Sequence, residues 1–171
     1  VNERNIPEGY VKLFSKNEKV DASNAASMFQ AEGMVFNFVA MDSFSGPVQV
    51  AKNVLRETML VEVLMVKVGN PVMLLANVDV ENGWMNGTMC TLMEVHAGRL
   101  RLRCPRNGAE RWIERISRSV ADNMYTRKQF PVRLAYACTI HKVQSMTIDK
   151  VAICKRDIIS PGQFYEAMSR V

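Results

Sequence analysis

From Val61 to Ile116 the chain is cut into short pieces by turn signals that leave no room for a helix. Strand-like runs at 61 to 68, 71 to 76, 88 to 95, 99 to 104 and 111 to 116 are separated by Gly69-Asn70, Asn82-Gly83, Asn86-Gly87, Ala97-Gly98 and Asn107-Gly108. Gly and Asn tolerate the positive φ that two-residue hairpin turns demand, so this spacing predicts a small antiparallel β-barrel. Within it, Arg99, Arg101 and Arg103 alternate with Leu100 and Leu102, and alternation on a strand puts the three arginines on one face. Such a row is either a solvated strand face or a track for phosphates.

The flanks follow a different grammar. Tyr10 to Phe14 alternates into an apolar end, and Val20, Asn24 and Met28 then recur every four residues, the spacing of one helix face. Gly33 is placed to stop that helix, and Val35 to Val39 alternates as a strand. Residues 46 to 60 read as a polar connection containing a helix. After Pro131 a strand runs to Thr139, which stands at a helix N-cap position, so that His141, Lys142 and Gln144 gather at the mouth of a strand-to-helix turn. Free N–H groups in such a turn favour an anion. Val151 to Cys154 is apolar throughout, which predicts a parallel strand buried on both faces. Ser160-Pro161-Gly162 opens a last helix carrying Phe164, Tyr165 and Met168 and ending on Arg170. Strand, turn, helix, strand, helix is the order of an α/β layer.

Composition narrows the choice further. With 171 residues, 48% of them hydrophobic, the chain can build one ordinary domain or two small ones. No apolar run reaches about 18 residues, so a membrane-spanning helix is not expected, and the N-terminus lacks the pattern of a signal peptide. It starts on Val and stops inside a motif, which suggests a piece of a longer protein. Cys90, Cys104, Cys138 and Cys154 contain no Cys-x-x-Cys pair, so no metal site is expected and the thiols are read as buried and reduced, in an intracellular protein. Residues 98 to 133 hold ten basic against three acidic side chains; of 22 basic and 17 acidic in all, this leaves 12 and 14 elsewhere, or −2. All the excess positive charge therefore lies in that stretch. Trp84 sits between two turn signals and is either a stacking surface or core, whereas Trp112, between Arg111 and Ile113, is expected in the core.

Three segments resemble a known family. Ala135-Tyr-Ala-Cys-Thr-Ile-His-Lys-Val-Gln-Ser-Met-Thr147 is similar to motif V of superfamily 1 helicases, usually Ala-x-Ala-x-Thr-Ile-His-Lys-Ser-Gln-Gly-x-Thr. Tyr165-Glu-Ala-Met-Ser-Arg170 resembles motif VI, usually Tyr-Val-Ala-Leu-Ser-Arg. Val68-Gly-Asn-Pro-Val-Met-Leu-Leu-Ala-Asn-Val-Asp79, with Gly83-Trp-Met-Asn-Gly-Thr88, resembles a segment of the Pif-one (petite integration frequency) type of DNA helicase, superfamily 1B.

The resemblance implies an α/β fold: a discontinuous RecA-like domain with a parallel sheet and an inserted SH3-like β-barrel. The corresponding division is 1–60 and 126–171 for the RecA-like domain, called 2A, and 61–125 for the insertion, called 2B. It implies the C-terminal motor half of an ATP-dependent 5′-to-3′ DNA helicase. Arg170 would be the catalytic arginine at the nucleotide, Gln144 a second nucleotide contact, and Thr139, His141 and Lys142, with Arg99, Arg101 and Arg103, would contact nucleic acid. Lys16 and Asn17 fall in the region resembling motif IV, near the nucleotide, although Asn17 and Asp21 also suit plain helix capping. The implied cofactors are ATP and Mg²⁺, bound mainly by a first RecA-like domain. That domain, single-stranded DNA and duplex junctions are the implied partners, with no membrane, and the location would be nucleus or mitochondrion in a eukaryote.

No Gly-x-x-x-x-Gly-Lys-Ser/Thr loop occurs here, so this chain is not expected to hydrolyse ATP alone. Val143 and Ser145 depart from the Ser and Gly of motif V, and Met168 replaces a Leu of motif VI. The alternative is a non-catalytic nucleic-acid-binding or scaffold module derived from a helicase fold.

Overall fold

A computed structural model describes residues 6–7, 9–145, 148 and 150–153, with 143–145 described by backbone alone. The strand before the first helix is β1 (Val11–Phe14), and the helix is α1 (Asn17–Gln30). β12 (Ala137–Thr139) and β13 (Val151–Ile153) flank β1 on either side, and both run parallel to it. The apolar run from Val151 thus forms a parallel strand, with Ala152 buried and Val151 and Ile153 half-buried, not the full burial on both faces that its composition predicts, and with Cys154 outside the described residues.

α1 packs over this sheet as its four-residue spacing requires, since Val20, Asn24 and Met28 are its buried residues. Asn24 is the informative member. Its amide nitrogen donates to the Ala137 carbonyl at 3.1 Å and its oxygen accepts from the Ala137 N–H at 2.8 Å. β12 is an edge strand, and one side chain of α1 satisfies the two backbone groups that a further strand would otherwise pair. The helix stops at Gln30, before Gly33, with the Ala31 N–H returning to the Ser27 carbonyl.

The rest of the described chain is antiparallel. β2 (Phe36–Val39) pairs with β4 (Val63–Val66). β3 (Met41–Phe44), β9 (Ile116–Val120) and β10 (Tyr125–Gln129) form a second sheet with β10 in the middle. A five-stranded sheet runs in the order β11 (Val132–Leu134), β5 (Pro71–Leu74), β6 (Met89–His96), β7 (Arg99–Arg103), β8 (Glu110–Ile113). The polar connection at 46 to 60 contains α2 (Val48–Leu55) and a 3₁₀ turn at Arg56–Thr58. The strands of 61–125 thus find partners beyond that span, in β2, β10 and β11, and β10 in turn pairs with β3.

One core serves the β2–β4 pair and the five-stranded sheet: Leu64, Val66, Val72, Leu74, Leu92, Leu100, Leu102, Ile113 and Phe130 are buried together with Trp84. Burying a side chain of this size is worth about 1.5–3 kcal/mol. A second cluster joins Val11, Leu13, Cys138 and Ile140 of the parallel layer to Met73, Leu75 and Ala135, fixing one unit against the other.

One tryptophan resolves an open reading and the other corrects one. Trp84 is core, 4% exposed, while Trp112, expected in the core, is 36% exposed. Adjacent strand residues face opposite ways, and Ile113 takes the inner side.

Candidate nucleic-acid interface

Phe14 and Thr139 are register partners, so β1 and β12 end side by side at their carboxyl ends. Open parallel α/β sheets bind ligands outside that edge. Two connections leave from it. One runs through Lys16, whose side chain makes no cap hydrogen bond, into α1. The other is the 3₁₀ helix Ile140–Ser145 that follows β12 directly. Thr139 is the buried last residue of β12, His141 is exposed, and Lys142 is half-buried. Lys16, Asn17, Thr139, His141 and Lys142 therefore gather at one edge. The side chain of Gln144, and Arg170 altogether, lie outside the described residues.

Lys142 is held below the ordinary lysine pKa first by burial and then by the like charge of Arg133. Arg133 extends from β11 to Asp21 of α1, 3.1 Å away. Both cations line a cleft of about 840 Å³ beside α1, shared with Arg56, Asp21 and Glu62. A cation kept short of solvent beside another cation gains from a phosphate more than an exposed lysine does, because the phosphate relieves both costs. In the sequence Arg133 is one of the ten basic residues of 98 to 133, and nothing there places it at this edge. Its only local signal is the short alternation from Val132 to Leu134, three residues ahead of the strand that ends on Thr139.

The arginine row of β7 does share a face, with Leu100 and Leu102 buried on the other. That face also carries carboxylates. Arg101 pairs with Glu94 at 2.8 Å and with Glu110 at 2.6 Å, and Arg103 donates to Glu110 at 2.6 and 2.9 Å. Hydrogen bonds from Arg103, then from Arg101, hold the Glu110 carboxyl below its usual range, and Glu110 in turn raises Arg101. Arg99 lies 5.1 Å from the Trp112 ring centre and Arg101 lies 5.9 Å from it. Against three arginines these two glutamates leave one net positive charge.

The same holds for much of the basic stretch. Arg111 pairs with Asp79, Arg127 with Asp42 and the Leu60 carbonyl, Arg118 with the Thr58 and Leu75 carbonyls, and Arg115 with the Val39 carbonyl while stacking on Phe130. These cations stitch the antiparallel sheets together, so the charge counted in the sequence overstates the charge left for a ligand.

Comparisons with known proteins agree with this architecture. The family model described as DNA helicase Pif1, 2B domain, matches residues 52–95. The zebrafish (Danio rerio) protein named ATP-dependent DNA helicase PIF1 is 32% identical over 170 residues, which is 93% of this chain and 25% of the relative. Pif1 helicase from Candida albicans superposes with a TM-score of 0.80 at 26% identity, covering 96% of this chain and 44% of that one. A Bacteroides Pif1 bound to single-stranded DNA superposes with a TM-score of 0.76 at 27% identity, covering 97% and 39%. The chain therefore spans about a quarter of the length of the zebrafish relative.

Proposed function

The chain belongs to the Pif1 type of superfamily 1B DNA helicases, most specifically through its 2B region, and on that premise we propose that it is the C-terminal motor half of an ATP-dependent helicase acting 5′ to 3′ on single-stranded DNA. The observation that carries the reading is the shared edge of β1 and β12, where the N-terminus of α1 and the Thr139–Lys142 segment meet. In this proposal the parallel layer is the second RecA-like domain. The antiparallel sheets close into an SH3-like barrel that the chain enters near 61 and leaves near 125, with strand partners drawn from 36–44 and 125–134.

The single strand lies along the edge. Thr139 and His141 hydrogen-bond its backbone, and Lys142 supplies a positive charge to a phosphate. On the antiparallel unit, Arg99 is the phosphate contact we propose from the row, since Glu94 and Glu110 engage Arg101 and Arg103 before any nucleic acid does. ATP, when bound, brings the γ-phosphoryl group whose developing charge Arg170 neutralises, a role worth about 10³–10⁵ in rate in related chemistry. Gln144 is the second nucleotide contact. The Walker loop and the Mg²⁺ ligands belong to a first RecA-like domain, so the 171-residue chain is inactive as an ATPase by itself.

Salt-dependent binding to single-stranded and duplex DNA tests this reading. Removing His141 and Lys142 together should flatten the salt slope by about one contact or more and abolish the preference for single strands, while Arg101→Ala and Arg103→Ala together should change it little. Equal affinity of wild type and the His141/Lys142 variant at low salt would favour a scaffold module instead.

A further inference from the structure

The motor reading leaves one pair of chemical groups unused. Cys90 on β6 and Cys104 just past β7 are both buried free thiols in the same core cluster. Thr91 pairs with Arg103, so the next step of the β6–β7 ladder sets Cys90 opposite Cys104. The main chain defines which kind of pair this is. Cys90 is register partner to Val72, and its neighbours at two-residue spacing, Thr88 and Leu92, bond away from β7: the Thr88 carbonyl accepts from Leu74, and Leu92 donates to Asn70. The Cys104 N–H donates to Ala109 and its carbonyl accepts from Gly108, so it turns toward β8. The two cysteines are thus a non-hydrogen-bonded antiparallel pair, with Cα atoms about 4.5 Å apart and side chains on the same face. That separation falls at the short end of the range a disulfide spans, about 4.4–6.8 Å.

We propose that Cys90 and Cys104 form a redox-active cross-strand dithiol whose co-reactant is a low-molecular-weight disulfide. Both thiols line a cavity of about 620 Å³ next to Trp84, in which Arg106 and Lys150 are the charged side chains. The Cys104 thiolate attacks one sulfur of the small disulfide and releases the other as a thiolate. Cys90, as its thiolate, then attacks the Cys104 sulfur of the mixed disulfide and releases the second. Two protein thiols lose two electrons, the small disulfide becomes two thiols, and the two protons end on them. A Cα separation at the short end of that range would strain the protein disulfide and make it easier to reduce, which distinguishes a reversible device from a structural staple. Burial, reinforced by Cys104, pushes the Cys90 thiol up to about 12, so its step limits the rate.

Incubating the full chain with oxidised glutathione, alkylating after denaturation and mapping peptides tests this. The expected result is a single disulfide joining the Cys90 and Cys104 peptides, reversed by dithiothreitol, with Cys138 still alkylatable. Its formation rate should rise about tenfold per pH unit above neutrality, following the thiolate fraction of Cys90. In Cys90→Ser, Cys104 should stop at a glutathione adduct. Free Cys90 and Cys104 at equilibrium, or either one joined instead to Cys138 or Cys154, would overturn the proposal.

Discussion

Asn24 and Lys142 show how much one side chain can be asked to do. Asn24→Ala strands a buried N–H and a buried C=O of Ala137, each costing about 1–3 kcal/mol, so a loss of about 2–6 kcal/mol in urea unfolding is expected. Asn17→Ala, on the exposed start of the same helix, should stay within about 0.5 kcal/mol. Lys142 works in the opposite sense. Because its folded pKa lies below the ordinary 10.5, the folded state binds fewer protons than the unfolded one between those two values. Stability therefore rises with pH across that window. Lys142→Met should be more stable than wild type at neutral pH, with the gap closing as pH passes 10.5, while its affinity for single-stranded DNA falls. Equal urea midpoints at pH 7 would remove the argument for a strained cation.

At the scale of elements, the same logic decides where helices and strands meet. α1 ends with no basic residue in its last turn, and the compensation comes from Lys67, directly after β4, whose amino group donates to the Ala31 and Phe29 carbonyls. A cation at a helix C-terminus meets the negative end of the dipole and satisfies carbonyls that the helix leaves open. Lys67→Met keeps the stem and loses the charge. It should cost about 1–2 kcal/mol. Amide exchange should quicken in the last turn of α1 and not in its first; uniform exchange along the helix would assign the effect to packing. No local signal marked Lys67 for this task, because the carbonyls it serves lie 36 and 38 residues away.

For the whole molecule, strand pairing carries the strongest consequence. A segment cut at 61 and 125 loses β2, β3, β10 and β11, and with them Phe130 and Val132 of the shared core. It should not unfold cooperatively on heating, whereas residues 34–135 should; a cooperative transition from 61–125 alone would refute this. By itself the sequence determined the turns, the alternation that sets Leu100 and Leu102 inward, the α1 face of Val20, Asn24 and Met28, and the parallel strand at Val151. Each of these follows from spacing within a few residues, where backbone geometry fixes the outcome. The family is likewise carried by local strings of residues, 68–79, 83–88 and 135–147. Tertiary structure alone decided which arginines are engaged by carboxylates, which tryptophan is buried, and that Arg133 joins Lys142 in one cleft. Those outcomes depend on partners far along the chain, such as Asp42 for Arg127 and Asp79 for Arg111, and the free energy of a charge is set by what surrounds it in space.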